Sequence, residues 1–400
     1  MIQRVRFIVF LRDVFYLSVS CFGGPQAHLA HFQQMLVKKR HYLTETELLE
    51  LHALCQVLPG PSSTQTLTAV GYKLGGPSLA YLTLLIWLLP SVVIMTAAGM
   101  LISSFDAKSI SLSFTRFIQP MAVAIIAYSA FHMAQKTLVA PRSFFMMIGA
   151  AIICYLFPTP FVFPVVLIIA GCITAFNYKV FPKEEKKKFT IRWSNFLLWA
   201  GVLIAAALLG AYTKSLPIRL FENFYRNGSL IFGGGQVLTP MLYTEFVQYA
   251  PKQYLSHEEF LSGIGFVQAL PGPVFSYSAY IGALSMRDFG PGGEMLGAIM
   301  ATAGIFLPGT FLIFFMFRIW ESLKKFRAIR ASLDGIHAAS TGLVVGAAVL
   351  LFVPLVNQQP NESILINSSI VLVTFGLMYL TKIPSWAIIL AGLAAGFIFS

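Results

Sequence analysis

Charge is scarce in this chain. Only 11% of its 400 residues are Asp, Glu, Lys or Arg, against roughly 25% in an ordinary soluble domain. Acids are fewest, 16 against 28 Lys and Arg, while 57% of the chain is hydrophobic and Phe alone contributes 36 residues. That balance excludes two or three soluble domains, because water would meet more apolar surface than such domains hide. Cysteine is also sparse. Cys21, Cys55, Cys154 and Cys172 lie in apolar stretches with no CxxC spacing, which excludes a disulfide framework and a zinc site. HExxH, GxSxG and paired carboxylates within apolar runs are missing too, so the sequence does not read as an enzyme and implies no metal and no cofactor. The formal charge of +12 would suggest nucleic acid in a soluble protein. Here the basic residues sit in short breaks between apolar runs, so the partner is a lipid bilayer and not nucleic acid. Met1 to Phe10 carries no small-residue cleavage signature and reads as part of the mature protein.

What is present is an all-α polytopic membrane pattern. Uncharged runs cover 74–105, 117–135, 143–178, 193–213, 295–317, 335–361, 363–381 and 383–400. A crossing needs about 20 apolar residues. The 143–178 run is interrupted by Pro158, Pro160 and Pro164 and reads as two short crossings, for about nine in all. Basic loops mark the cytoplasmic side. Lys183–Lys188 and the stretch with Arg318, Lys324, Lys325, Arg327 and Arg330 are placed inside, and Pro354–Glu362, which lacks Lys and Arg, outside. The N-terminus is then cytoplasmic and the C-terminus external, in a multi-pass plasma-membrane protein of the bacterial inner-membrane kind.

Two less apolar stretches, Met1–Gly75 and Pro217–Gly293, precede these runs and break into pieces of about 14 residues. Such pieces reach only about 21 Å as helix, too short for a ~30 Å hydrocarbon core. They read as broken or re-entrant half-helices, tolerated where they are buried in protein or line a cavity. The two stretches also match each other. Phe22-Gly23-Gly24-Pro25-Gln26 corresponds to Phe232-Gly233-Gly234-Gly235-Gln236, and Gln56-Val57-Leu58-Pro59-Gly60-Pro61 to Gln268-Ala269-Leu270-Pro271-Gly272-Pro273. Thr44 with Glu47 corresponds to Ser256 with Glu259, and Leu89-Pro90-Ser91 to Leu307-Pro308-Gly309. The extra span 193–213 reverses the second copy. The expected architecture is therefore two inverted-topology repeats. Residues 1–182 form the N-terminal membrane repeat, 183–216 a cytoplasmic linker and extra transmembrane helix, and 217–400 the C-terminal inverted repeat. Interrupted helices in inverted repeats locate a transporter's substrate near the midplane.

The chemistry of the breaks points to an anion. Gly lets the chain turn and a ligand approach the backbone. Pro25, Pro61 and Pro273 suit a helix start, where unpaired amides carry the positive end of the dipole. The candidate substrate residues are Gly23, Gly24, Pro25, Gln26, Gln56, Pro59, Gly60, Pro61, Ser62 and Ser63, with Gly233, Gly234, Gly235, Gln236, Gln268, Pro271, Gly272 and Pro273 in the second copy. Thr64, Ser276 and Ser278 add hydroxyls. His28, one turn from His31, is a candidate proton relay. The plain readings are packing for a lone Gly-Gly or Pro-Gly-Pro, capping boxes for Thr44/Glu47 and Ser256/Glu259, and snorkelling for Lys73 and Arg287. Tyr72, Tyr277 and Tyr280 either line a cavity or pack.

At these residues the chain resembles the chromate transporter family in its long, two-domain form. The resemblance rests on Phe22-Gly23-Gly24-Pro25 with Ala27-His28, on Glu47 with Gln56 and Leu58-Pro59-Gly60-Pro61, on Gln65 and Gly71-Tyr72, and on the second-half versions at Phe232–Gln236 and Gln268–Pro273. It implies export of chromate with sulfate as the competitor, and it leaves room for a homodimer. Other oxyanion or organic-anion carriers and an anion channel remain as alternatives. The second copy departs at Gly235, where the first has Pro25, so the two halves of the site need not be equivalent.

Overall fold

The computed structural model describes residues 7–107, 113–137, 141–176, 193–232, 235–317, 319–320, 327–357 and 361–399. Sixteen α-helices and no strand occur among them. Helices α1 (Phe7–Ser20) and α2 (Gly24–Phe32) precede a π-helical stretch, Gln33–Lys39, and α3 (Glu45–Val57). Next come α4 (Ser62–Ala107), α5 (Ile118–Thr137), α6 (Pro141–Leu156) and α7 (Val162–Ala175). The extra helix is α8 (Ser194–Thr213). It is followed by α9 (Leu216–Leu230), α10 (Gly235–Tyr243), a second π-helical stretch, Thr244–Gln248, and α11 (His257–Ala269). The chain ends with α12 (Tyr277–Ser285), α13 (Gly290–Met316), α14 (Arg327–Asn357), α15 (Asn361–Leu380) and α16 (Ser385–Phe399).

The sequence match between the halves is repeated in local structure. Helices α2 and α10 both have nine residues and both run on into π-helix, while α3 and α11 both have thirteen. Each of the latter two starts with the expected capping box. Glu47 N–H donates to the Thr44 hydroxyl at 3.2 Å and Thr44 N–H to the Glu47 carboxylate at 2.7 Å. The Ser256/Glu259 pair closes the same ring at 3.1 and 2.8 Å. Gly60 and Gly272 share a left-handed backbone, with φ of 116° and 97°. Gly76 (φ 71°, ψ −163°) and Gly290 (φ 69°, ψ −173°), each followed by Pro, share another. In the first copy this Gly-Pro corner bends α4 at Gly75–Gly76, and in the second it separates α12 from α13.

Among the described residues, four helices are long and apolar enough to cross a bilayer, over Ser62–Phe105, Ser194–Thr213, Arg287–Met316 and Ala331–Val356. Shorter apolar helices cover Pro141–Leu156, Val162–Ala175, Ile364–Leu380 and Ser385–Ile398. The 143–178 run does split in two, around the break between α6 and α7. Side chains such as Leu197, Ile204, Leu208 and Leu209 on α8 are exposed, the surface expected where the solvent is lipid. The protein is thus an all-α polytopic membrane protein. The basic loop Lys183–Lys188 and residues Arg318, Lys324 and Lys325 lie outside the described residues.

The chain condenses into two compact units. The first comprises residues 1–100, 187–235 and 270–322, and the second 101–186, 236–269 and 323–400. Each draws on both halves of the sequence, so neither coincides with an expected repeat (1–182 or 217–400). In the first unit α13 packs along α9 and α12, and α8 covers α9 and α13. Helices α12 and α13 touch backbone to backbone where Gly282 meets Gly297, the close approach that small residues permit in membranes. Asp13 of α1, 4% exposed, accepts from Arg40 at 2.7 Å and from the Tyr42 hydroxyl at 2.6 Å. These bonds tie α1 to the turn before α3. In the second unit α14 packs against α5, α6 and α7, α15 against α5, and α16 against α11 and α5. Ile118, Ile125 and Ile389 form its buried apolar centre.

Candidate functional site

The site lies in the first unit, where both Leu-Pro-Gly-Pro breaks meet. The first break ends at Pro61, and α4 starts at Ser62. The second ends at Pro273, followed by one 3-10 turn and then α12. Each break is tied to the Phe-Gly-Gly segment of the other copy. Gly60 N–H donates to the Ile231 carbonyl at 2.8 Å, and Gly272 N–H donates to the Cys21 carbonyl at 2.8 Å. Ile231 and Cys21 are the residues just before Phe232 and Phe22. The exchange is reciprocal: each copy gives one amide and one carbonyl to the other. The free amides of the breaks are therefore not those of Gly60 and Gly272. They are the first-turn amides of α4, which have no acceptor inside the helix.

A small cavity of about 10 Å³ sits between the breaks, roughly the room one water needs. His28, Pro61, Ser62 and Ser63 line one side, and Pro273 with the two residues after it lines the other. His28 is 1% exposed. Its Nδ1 lies 3.1 Å from the Ser63 hydroxyl, and its Nε2 has no hydrogen-bond partner. The imidazole stands edge-on to Trp87 at 5.4 Å between ring centres, and Phe32 packs on the same indole at 5.6 Å.

The start of α4 is fixed by its own side chains. Trp87 N–H donates to the Thr64 hydroxyl at 3.1 Å, and Gln65 Nε2 to the Pro59 carbonyl at 2.6 Å. Gln56 donates to His52 Nε2 at 3.1 Å. With Nε2 accepting, His52 Nδ1–H donates to Thr66 at 3.1 Å, and the Thr66 hydroxyl donates to the Ser62 carbonyl at 2.7 Å. These bonds engage the side chains of Thr64, Gln65 and Thr66 with protein partners. The second copy differs. Ser276 and Ser278 are fully buried and their hydroxyls have no partner.

The expected residues divide accordingly. His28, Pro61, Ser62, Ser63 and Pro273 come together on the cavity. Pro59, Gly60 and Gly272 are buried beside them in the breaks. Gln56 is exposed and spent on His52, away from the cavity lining. Pro271 is half-buried in the second break, and Gln268 closes α11 in the second unit. Gly23 (φ 93°) and Gly24 (φ 79°) form the left-handed turn into α2, with Pro25 in the first helical turn. Pro25, Gln26, Gly235 and Gln236 are described as helix backbone only, and Gly233 and Gly234 lie outside the described residues. Lys73 bonds Glu47 at 2.5 Å, Tyr72 stacks on Phe314, and Tyr277 stacks on Tyr280. Cys21 and Cys55 are free and buried. No group of three His, Cys, Asp or Glu gathers among the described residues.

Sequence reasoning passed over Trp87 and Gln65 as site residues. Gln65 is wedged between Gly60 and Gly309, either of which would strike its amide if it carried a Cβ. No local signal marks this role, because Gly309 reaches Gln65 only in the folded chain.

A family model described as "Chromate transporter" matches residues 8–176 and 218–397. An uncharacterized transporter of Methanocaldococcus jannaschii is 24% identical over 96% of this chain and 92% of its own. A probable chromate transport protein of Synechococcus elongatus is 27% identical over 84% of this chain and 82% of its own. A chromate transport protein of Cupriavidus metallidurans is 25% identical over 94% and 89%. No solved structure matches.

Proposed function

The chain belongs to the chromate transporter family, and from that premise we propose that it exports chromate, a tetrahedral dianion, through a midplane site formed by helix N-termini of two inverted repeats. Sulfate, of like shape and charge, is the competitor. The observation that carries this reading is the cavity where both Leu-Pro-Gly-Pro breaks and His28 meet. The reciprocal Gly60–Ile231 and Gly272–Cys21 bonds support a two-fold relation between the copies, as isologous contacts do in a symmetric pair. The repeats are residues 1–182 and 217–400, with 183–216 as linker and extra helix. The N-terminus faces the cytoplasm and the C-terminus the outside of a bacterial inner membrane.

With room for one water, the cavity admits a tetrahedral oxyanion only when the breaks move apart. Outward transport needs no further energy source. Each charge crossing ~100 mV is worth about 2.3 kcal/mol, so an inside-negative potential favours exit of a dianion by roughly 4.6 kcal/mol. Charge here meets amides and hydroxyls and no fixed lysine, so release costs less than it would from an ion pair. A second reading is a carrier for sulfate or another oxyanion or organic anion.

The test is chromate and sulfate flux by the purified protein in liposomes of set potential. Saturable flux with counterflow, accelerated by a potential negative on the loaded side, is expected. Flux without saturation or counterflow would indicate a channel. Flux that ignores the potential would remove voltage assistance.

A further inference from the structure

Helices α15 and α16 follow one another through residues 381–384, yet each packs on α5 and they scarcely touch each other. The space between them is an apolar groove of about 370 Å³ within the second unit. One wall is a single face of α15, with Ile370, Thr374 and Leu377 at helical spacing. The other wall is α16, where Ala387 and Ala391 are too small to reach across, and Met121 of α5 completes the lining. No charged residue lines the groove.

Such a groove does not stay empty in a bilayer. Its walls would forgo dispersion contacts, and an apolar space with few polar groups does not hold water. An α-helix with its side chains is about 10–12 Å across. The four-residue turn holds α15 and α16 together at one end, so a helix from a second copy would have to force them apart. A single hydrocarbon chain needs no such movement. The face from Ile370 to Leu377 is about 10 Å long, within the depth of one leaflet of a ~30 Å core.

The turn identifies the headgroup. Thr381 closes α15: its N–H and its hydroxyl both donate to the Leu377 carbonyl, at 3.0 and 2.5 Å, and the hydroxyl oxygen accepts from Ile383 N–H at 3.2 Å. Lys382 sits between these bonds, exposed, next to Ile383 of the groove wall. Tyr379, 57% exposed, meets Phe131 of α5 at 5.7 Å between ring centres. Exposed tyrosines of membrane helices sit at the lipid–water interface. That contact brings the end of α5 to the same level, and Lys136 follows in its last turn, also exposed. Neither lysine has an ion-pair partner among the described residues. Helices α5 and α16 contain no Asp or Glu, and the one acid of α15, Glu362, stands at its opposite end. Uncompensated positive charge therefore flanks the apolar slot.

We propose that the groove between α15 and α16 binds one acyl chain of an anionic phospholipid whose headgroup meets Lys382, with Lys136 adding to the attraction. Zwitterionic lipid fills the same slot without the net charge that the lysines select. The site is independent of the ion that the protein transports.

The full chain, purified in detergent, is titrated with phosphatidylglycerol and with phosphatidylcholine of the same acyl chains, and bound lipid is counted by native mass spectrometry. One phosphatidylglycerol should bind per chain, about tenfold or more tighter than phosphatidylcholine, since a lysine beside an anionic lipid surface is worth roughly fivefold. Lys382→Gln should weaken phosphatidylglycerol about fivefold and leave phosphatidylcholine unchanged. Lys214→Gln, at an exposed lysine that ends α8, is the control and should change neither. Ala391→Phe fills the groove and should weaken both lipids on the order of tenfold. Equal affinity for the two lipids, or a loss in Lys214→Gln that matches Lys382→Gln, would overturn the proposal. A lipid-free dimer that Ala391→Phe dissociates would overturn it too, because the occupant would then be a second copy. Lys382 is exposed, so Lys382→Gln decides alone where Ala391→Phe does not fold.

Discussion

Gly60 gives its amide hydrogen to the Ile231 carbonyl at 2.8 Å from a left-handed backbone with φ of 116°. A Cβ there would stand 2.7 Å from the Gln65 side-chain amide. Gly272 repeats the arrangement toward Cys21, and its Cβ would meet Ser91 at 3.3 Å. Gly60→Ala and Gly272→Ala should each cost about 1–2 kcal/mol from backbone conformation alone, with more from crowding at Gly60. Both should reduce chromate flux in liposomes. Gly149→Ala, in a helix with open space around it, is the control and should leave the unfolding midpoint unchanged or slightly raised. Equal midpoints for Gly60→Ala and Gly149→Ala would remove the strain argument.

Gly76 and Gly290 carry the same left-handed corner, and at neither would an added Cβ meet another atom within 4 Å. Replacement by Ala therefore exposes the conformational cost without a clash. Each variant should lose about 1–2 kcal/mol, and the two losses should agree within a few tenths. Thermal unfolding in detergent measures this. A loss at one corner only would mean that the two Gly-Pro bends are not equivalent.

Glu47 links the capping box of α3 to Lys73. The Lys73 ammonium at 2.5 Å, followed by the Thr44 amide, holds the Glu47 carboxyl down at about 2, against 4.5 for the free group. A depressed carboxyl contributes stability above its unfolded value and loses it as pH falls toward the folded one. The midpoint difference between the unmodified protein and Glu47→Gln should be steady above about pH 5 and fade as pH falls toward about 2. The pair is partly exposed, so the effect is a modest one and weakens with salt. A difference that stays constant across that window would detach the ionised pair from stability.

Trp87 fills the space beside His28 and donates to Thr64 at 3.1 Å. Trp87→Phe keeps an aromatic ring against the imidazole and leaves the Thr64 hydroxyl short of one donor, a loss of about 1 kcal/mol. Trp87→Ala opens a cavity and should cost about 3–5 kcal/mol. Flux should survive the first change within a few-fold and be lost in the second. Full flux in Trp87→Ala would show that the ring does not hold His28 in place.

Much of this architecture is legible along the chain because Gly, Pro and capping residues act locally. The breaks at Gly23–Gly24 and Leu58–Pro61, the capping boxes at Thr44 and Ser256, and the split of the 143–178 run all follow from the residues that form them. Pairings over long separations are not legible in that way. Nothing near Gly60 announces that its amide will meet Ile231, and Gln65 acquires its meaning only when Gly309 arrives opposite it. The π-helical stretches Gln33–Lys39 and Thr244–Gln248 have no compositional mark that separates them from α-helix. Gln56 shows the same dependence on the folded chain. Its place beside a Pro-Gly-Pro break suggested a ligand contact, but the helix phase of α3 turns it outward and His52 takes its amide.

The interlocked amides and carbonyls also bear on ancestry and manufacture. A polypeptide holding a single copy would finish translation with Gly60 lacking an acceptor and Cys21 lacking a donor. Such a half would have to find a counterpart of its own size before its corner was complete. Two separately encoded halves that meet in the bilayer should rebuild the same corner, whereas either one expressed alone should be cleared by cellular proteolysis.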